Sequence, residues 1–170
     1  MDKVLILGFG NILLQDEGLG VRALELLRRH YQLPSEVELC DGGCLGLKLL
    51  PHLEGVTHLL LVDAAEMGKE PGTIARLEGD AVGRWSWKLS AHEVALADLL
   101  SAAALLAYRF DKIVLYTMQP ASTAPGLELS PPVQAALPRL VRMMVGELAR
   151  WGVAVGCAVP EETSPVAIAR

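Results

Sequence analysis

Cysteine is scarce. The 170-residue chain has three, Cys40, Cys44 and Cys157. An odd number without CxxC spacing excludes a disulfide framework and a closed thiolate zinc site. We expect reduced, partly buried thiols that act as small hydrophobes. Long hydrophobic runs are also missing. The apolar stretch from Leu99 to Tyr108 has 10 residues, whereas a membrane span needs about 20. Positive charge is in deficit, with 15 Lys and Arg against 20 Asp and Glu, a net charge of −5. No basic patch stands out, which excludes nucleic acid and anionic lipid as expected partners. The opening residues, MDKVLILGFG, show no signal-peptide cleavage region, and we expect a cytoplasmic protein. Internal repeats are absent, and so are a GxSxG elbow, an HExxH helix and a P-loop.

What the chain does have is apolar surface. Hydrophobic residues make up 52% and charged residues 21%, enough to offset the entropy of ordering. At this length we expect a single domain, residues 1–155. The remaining 156–170 form a tail of small residues, Pro and Ser, expected to be partly disordered.

Apolar runs alternate with helix-like stretches. Strands are expected at Lys3–Gly8, Glu36–Asp41, Thr57–Asp63, Thr73–Leu77 and Lys112–Met118. Helices are expected at Gly18–Tyr31, Leu45–Leu53, Glu93–Tyr108 and Pro131–Trp151. Continuous apolar strands alternating with helices imply a sheet covered on both faces. We therefore expect an α/β fold, a three-layer α/β/α sandwich of hydrolase-like type. Its sheet should be five-stranded, mostly parallel but mixed, because the 73–77 strand lacks a full crossover helix and is expected to run antiparallel. Ser130 before Pro131 reads as an N-cap. Ser90-Ala-His92-Glu93 reads as a capping box, which puts His92 in the first turn of its helix. Trp85 and Trp87 alternate as in an extended segment, with packing as the expected use.

In such a sheet ligands bind beyond the carboxyl ends of the strands. Gly8-Phe9-Gly10-Asn11 and Gln15-Asp16-Glu17-Gly18 follow the first strand. Asp41-Gly42-Gly43 follows the second, Asp63 ends the third, and Gln119-Pro120 follows the fifth. Gly8 and Gly10 match two glycines of a dinucleotide fingerprint, but Leu13 stands where the third belongs, so that reading is not supported. Glu17, Asp63 and His92 offer two carboxylates and one imidazole, a set suited to a borderline divalent ion with positions left open. Each also has an ordinary structural use. Asp63 suits a turn cap, Asp16 and Glu17 suit the positive end of a helix dipole, and His92 suits an exposed first turn.

Taken together, the motifs are recognisable. The stretch from Gly8-Phe9-Gly10-Asn11 through Asp16-Glu17 to Gly20-Val21-Arg22 resembles the opening motif of the NiFe-hydrogenase maturation endopeptidases. Asp41-Gly42-Gly43, Val62-Asp63-Ala64 and Ser90-Ala91-His92-Glu93 resemble their later motifs, in the same order and at matching separations. The resemblance runs from residue 3 to about 150. It implies a three-layer α/β fold and removal of a C-terminal extension from the hydrogenase large-subunit precursor after nickel insertion. It further implies Glu17, Asp63 and His92 as ligands to a nickel supplied by the substrate. Asp41 corresponds to a residue affecting substrate handling, and Asp41 and Asp16 are the candidate bases. The run Gln119-Pro120-Ala121-Ser122 departs from the family, where many members carry an acid after the proline. Two other readings share the same residues: a peptidase holding its own divalent metal, and a non-catalytic nickel-dependent assembly protein.

Overall fold

The protein is described by a computed structural model over residues 2–85 and 91–157, with the backbone alone at 85 and 91–95. Its elements are β1 (Val4–Phe9), α1 (Leu19–His30), β2 (Tyr31–Gln32), β3 (Val37–Gly43), β4 (His58–Ala64), β5 (Ile74–Glu78), α2 (Asp80–Trp85), α3 (Ala91–Leu105), β6 (Lys112–Met118), α4 (Pro131–Arg150) and β7 (Gly156–Cys157). Two 3-10 segments, Gln15–Gly18 and Gly46–Leu53, complete the order.

The main sheet has five strands in the order β3-β1-β4-β6-β5. The β1–β3, β1–β4 and β4–β6 pairs are parallel, and β5 runs antiparallel to β6. The mixed sheet expected from the sequence is the one observed. The inner stretches of its central strands, 4–9, 59–62 and 113–116, are apolar because both faces are covered, and successive side chains serve opposite layers. Val4, Ile6, Leu60, Val62, Val114 and Tyr116 pack with α1 and α4. Leu5, Leu7, Leu59, Leu61 and Leu115 pack on the other face with Leu49, Leu53, Val82, Leu96 and Leu99. On α1, Val21, Leu24 and Leu27 are buried, and Glu25, Arg28 and Arg29 are exposed, as the helical period requires.

Several expectations are corrected. The short helix expected at Leu45–Leu53 is a 3-10 segment over Gly46–Leu53, with Pro51 inside it. Proline removes an N–H and crowds the carbonyl four residues back, which disfavours the α form. Asp80–Trp85 is helical, so Trp85 does not belong to an extended segment. Trp87, Ser90 and the side chains of His92 and Glu93 lie outside the described residues. The first residues of the expected tail, Gly156–Cys157, pair antiparallel with Tyr31–Gln32. Cys40 is half-buried, but Cys44 and Cys157 are exposed.

A polar cluster joins β5 and β6 to α4. Glu147, 1% exposed, accepts Arg76 Nε–H at 2.8 Å, Tyr116 O–H at 2.9 Å and Arg150 NH1 at 2.7 Å. The Arg76 guanidinium, outweighing burial, holds this carboxyl below the ordinary range. A buried carboxylate survives in a core only when its oxygens are filled in this way.

Candidate functional site

The order β3-β1-β4 means that the chain leaves β1 for one neighbour and later returns to the other side. Such a reversal opens a crevice at the carboxyl ends of the strands. Two glycines close it tightly from above. Gly10 has φ +120°, and a Cβ there would strike the Glu17 carbonyl oxygen. A Cβ on Gly20 would strike the carbonyl oxygens of Phe9 and Val62. The start of α1 is thereby pressed against the ends of β1 and β4. Glu17, three residues before Gly20, and Asp63, one residue after Val62, are brought to the same crevice.

Asp63 is 6% exposed, and its Oδ1 accepts the Ala64 N–H at 2.8 Å. Glu17 is half-buried. Asp41 joins from β3. The β1–β3 register slips between Gly8 and Phe9, Gly10 N–H donates to the Gly43 carbonyl at 3.0 Å, and Asp41 Oδ1 accepts the Gly43 N–H at 2.9 Å. The Cys44 thiol reports the convergence of these acids. Partial desolvation, then the carboxylates of Glu17, Asp63 and Asp41, push its pKa up. Raised in this way, the thiol is held protonated and is a poor nucleophile at neutral pH.

Residue 92 lies in the first turn of α3. After α3, the Asp111 and Lys112 N–H groups donate to the Thr57 carbonyl, at the amino end of β4. The last turn of α3 is therefore near the amino edge of the sheet. At 15 residues the helix spans about 22 Å, close to the length of a seven-residue strand. The first turn, with residue 92, is at the other end of the helix. Among the described residues, no three His, Cys, Asp or Glu side chains are arranged to hold a metal ion.

Asp16 has a different task from its neighbour. It is fully buried, and its Oδ2 accepts Ala121 N–H at 2.8 Å, Ser122 N–H at 3.0 Å and Ser130 O–H at 2.7 Å. Its Oδ1 accepts the Ser130 N–H at 2.7 Å. Burial raises the Asp16 pKa, but the Ser130, Ser122 and Ala121 donors outweigh it and hold the carboxyl below its ordinary range. A base needs a lone pair open to water. Asp16 has four donors on its two oxygens, so the geometry makes it the anchor that ties the β1 loop to the loop after β6. Ser130 stands at the N-cap position of α4 without a side-chain cap, and its hydroxyl donates to Asp16 instead.

Gln119 is a further positioning residue, and the sequence placed it only as a polar residue after a strand. It is 3% exposed. Its Oε1 accepts the Met67 and Lys69 N–H groups at 2.7 and 3.2 Å, and its Nε2 donates to Glu66 at 2.8 Å. These bonds set the path of the chain just beyond Asp63. A buried-polar expectation at a strand end is the one signal that points to Gln119 beforehand.

Comparison with known proteins agrees with this architecture. The hydrogenase maturation protease family matches residues 21–147. Hydrogenase 2 maturation protease of Escherichia coli is 37% identical over 162 residues, covering 94% of this chain and 97% of that protein. The hydrogenase expression/formation protein HupD of Rhizobium leguminosarum is 37% identical over 166 residues, covering 93% of this chain and 82% of that protein. The structure of the hydrogenase maturating endopeptidase HybD from Escherichia coli superposes with a TM-score of 0.88 at 36% identity, covering 91% of this chain and 97% of that one. With that extent of matching sequence and the same fold, the chain belongs to the hydrogenase maturation protease family and is a peptidase.

Proposed function

We propose that this peptidase removes a C-terminal extension from a hydrogenase large-subunit precursor once nickel is in place, and that Glu17, Asp63 and His92 recognise the nickel the substrate carries. The observation that supports this most is the meeting of Glu17 and Asp63 at the crevice between β1 and β4, in a chain of this family. Two carboxylates there favour a cation, and an imidazole from His92 would add a third ligand with room left for the substrate's own ligands. A precursor without the ion lacks that differential affinity, so the productive complex does not form.

Hydrolysis adds water across the scissile amide. The water oxygen bonds to the carbonyl carbon, the C–N bond breaks, and one water proton leaves with the amine. Of the two candidate bases, Asp41 is the one suited to accept the other proton. It is exposed, and Gly43 N–H orients it through Oδ1. Glu17 and Asp63 would hold the substrate's cation, and such an ion would supply Lewis acidity at the scissile carbonyl.

Because the nickel arrives with the substrate, protein stripped of metal by chelation is expected to cut nickel-loaded precursor at its full rate. Product formation followed on denaturing gels checks this. A requirement for added metal, or hydrolysis of short synthetic peptides, would instead identify a peptidase that holds its own ion.

A further inference from the structure

Large apolar side chains exposed on this protein are not scattered. Seven stand out among the described residues, and five of them, Ile12, Leu13, Leu45, Leu47 and Leu127, are 38% to 62% exposed. Four lie in the loops after β1, β3 and β6, and Leu47 in the first turn of the 3-10 segment that follows β3, at the carboxyl edge of the sheet. The other two, Leu105 and Leu106, close the far end of α3.

These loops form one connected rim. Gly10 N–H donates to the Gly43 carbonyl, joining the first loop to the second. Gly126 N–H donates to the Leu13 carbonyl at 2.8 Å, and Gln15 N–H returns to the Gly126 carbonyl at 2.9 Å, joining the first to the third. The turns are individually fixed too. Leu13 N–H donates to Asn11 Oδ1 at 2.9 Å, Leu45 N–H to the Gly42 carbonyl at 2.9 Å, and Arg22 to the Leu127 carbonyl at 3.1 Å. Aliphatic side chains held out on hydrogen-bonded turns have already lost most of the freedom that binding would cost. An exposed apolar group of this kind, rimmed by polar residues, marks an interaction surface.

Charge selects the occupant. Glu17 after β1, Asp63 near the end of β4 and Asp41 near the end of β3 share this edge, so the aliphatic rim borders an acidic floor. A second copy docked by two-fold symmetry would set one acidic floor against another. An anionic lipid surface would meet the same repulsion. A polypeptide presenting aliphatic side chains around a cationic centre satisfies both parts.

We infer that Ile12, Leu13, Leu45, Leu47 and Leu127 form the docking surface for the protein substrate, gripping aliphatic side chains that flank its cationic centre. This rests on the protease reading and adds the chemistry of the substrate's contact surface. The test is steady-state cleavage of purified nickel-loaded precursor by the full chain carrying Leu13→Asp, Leu45→Asp or Leu47→Asp. Burying one leucine is worth enough for KM to rise about tenfold or more, while kcat at saturation is expected within about twofold of wild type because no reacting group is touched. Leu105→Asp, at the opposite edge, is expected to leave both unchanged. An unchanged KM in the rim variants, with wild type cleaving normally, would overturn the docking surface and leave the protease reading intact. No cleavage by wild type would overturn the protease reading, and precursor binding by interferometry then decides the rim, since affinity unmoved by the three substitutions would refute it. Sedimentation showing a wild-type dimer that Leu13→Asp dissolves would give the rim to a second copy and overturn the inference.

Discussion

Glu17→Gln, Asp63→Asn and His92→Ala are each expected to reduce precursor processing at least about a thousandfold, equivalent to ~4 kcal/mol in the barrier. Glu17→Gln is the most informative of the three, because it keeps the shape of the side chain and removes only the charge. The residue sits where Gly10 and Gly20 force α1 against the strand ends, so the backbone that presents it is fixed by packing rather than by the carboxylate itself. Circular dichroism of the Glu17→Gln protein should therefore match wild type while turnover collapses. His92→Ala, on the first turn of α3, tests the third residue of the proposed set. If the three residues act as one recognition unit, combining two substitutions should cost little beyond either alone, because the first already removes the function they share. Near-normal cleavage by Glu17→Gln would remove the proposed unit.

Asp16→Ala is expected to act on stability rather than directly on chemistry. It strips the acceptor from three backbone N–H groups and one hydroxyl that reach it from 105 to 114 residues away. Hydrogen bonds to a buried charge are worth more than neutral ones, and leaving the donors without that acceptor adds a desolvation cost. The sum is about 4 kcal/mol, or ~10 °C in Tm for a domain of this size. A residue that served only as a base would show the opposite pattern, lost turnover at an unchanged Tm. The same carboxylate makes a pH prediction. Asp16 and Glu147 are held below their ordinary values of 3.8 and 4.5. Groups depressed on folding contribute stability that is complete above the unfolded value and drains away as the pH falls through the folded one. Tm is therefore expected to be flat from neutral pH to about 5 and to fall below that. The acid limb should be shallower in Asp16→Ala, and an equally steep limb would show that Asp16 does not carry it.

The strand framework was legible because its signal is local. The run Val4–Phe9 and the inner stretches 59–62 and 113–116 are apolar without interruption, and a sheet covered on both sides accounts for that. The antiparallel strand Ile74–Glu78 was legible from the missing crossover. The loop acids were legible because strand ends in such a sheet share one edge. What escaped was set by distant partners. Asp16 and Glu17 are adjacent acids with the same local environment in sequence, yet one faces four donors from the loop after β6 and the other lies at the crevice. The motif resemblance singled out Glu17 as the ligand, but nothing within ten residues of Asp16 showed its anchoring role. Ser130 looked like a cap because its neighbours favour one, and its hydroxyl was claimed instead by a carboxylate 114 positions away. The two-residue strand at Gly156–Cys157 depends wholly on Tyr31–Gln32, and two residues are too few to show alternation. The rim leucines were hidden for a related reason, since exposure is a property of the assembled surface and leaves no mark on composition.

Intact mass of the hydrogenase large-subunit precursor, nickel-loaded and nickel-free, after incubation with this protein tests the central claim most directly. The account predicts one loss from the C-terminus of the loaded form and none from the unloaded form. Equal loss from both forms would contradict recognition of the substrate's nickel by Glu17, Asp63 and His92, and loss from neither would contradict the proposed cut itself.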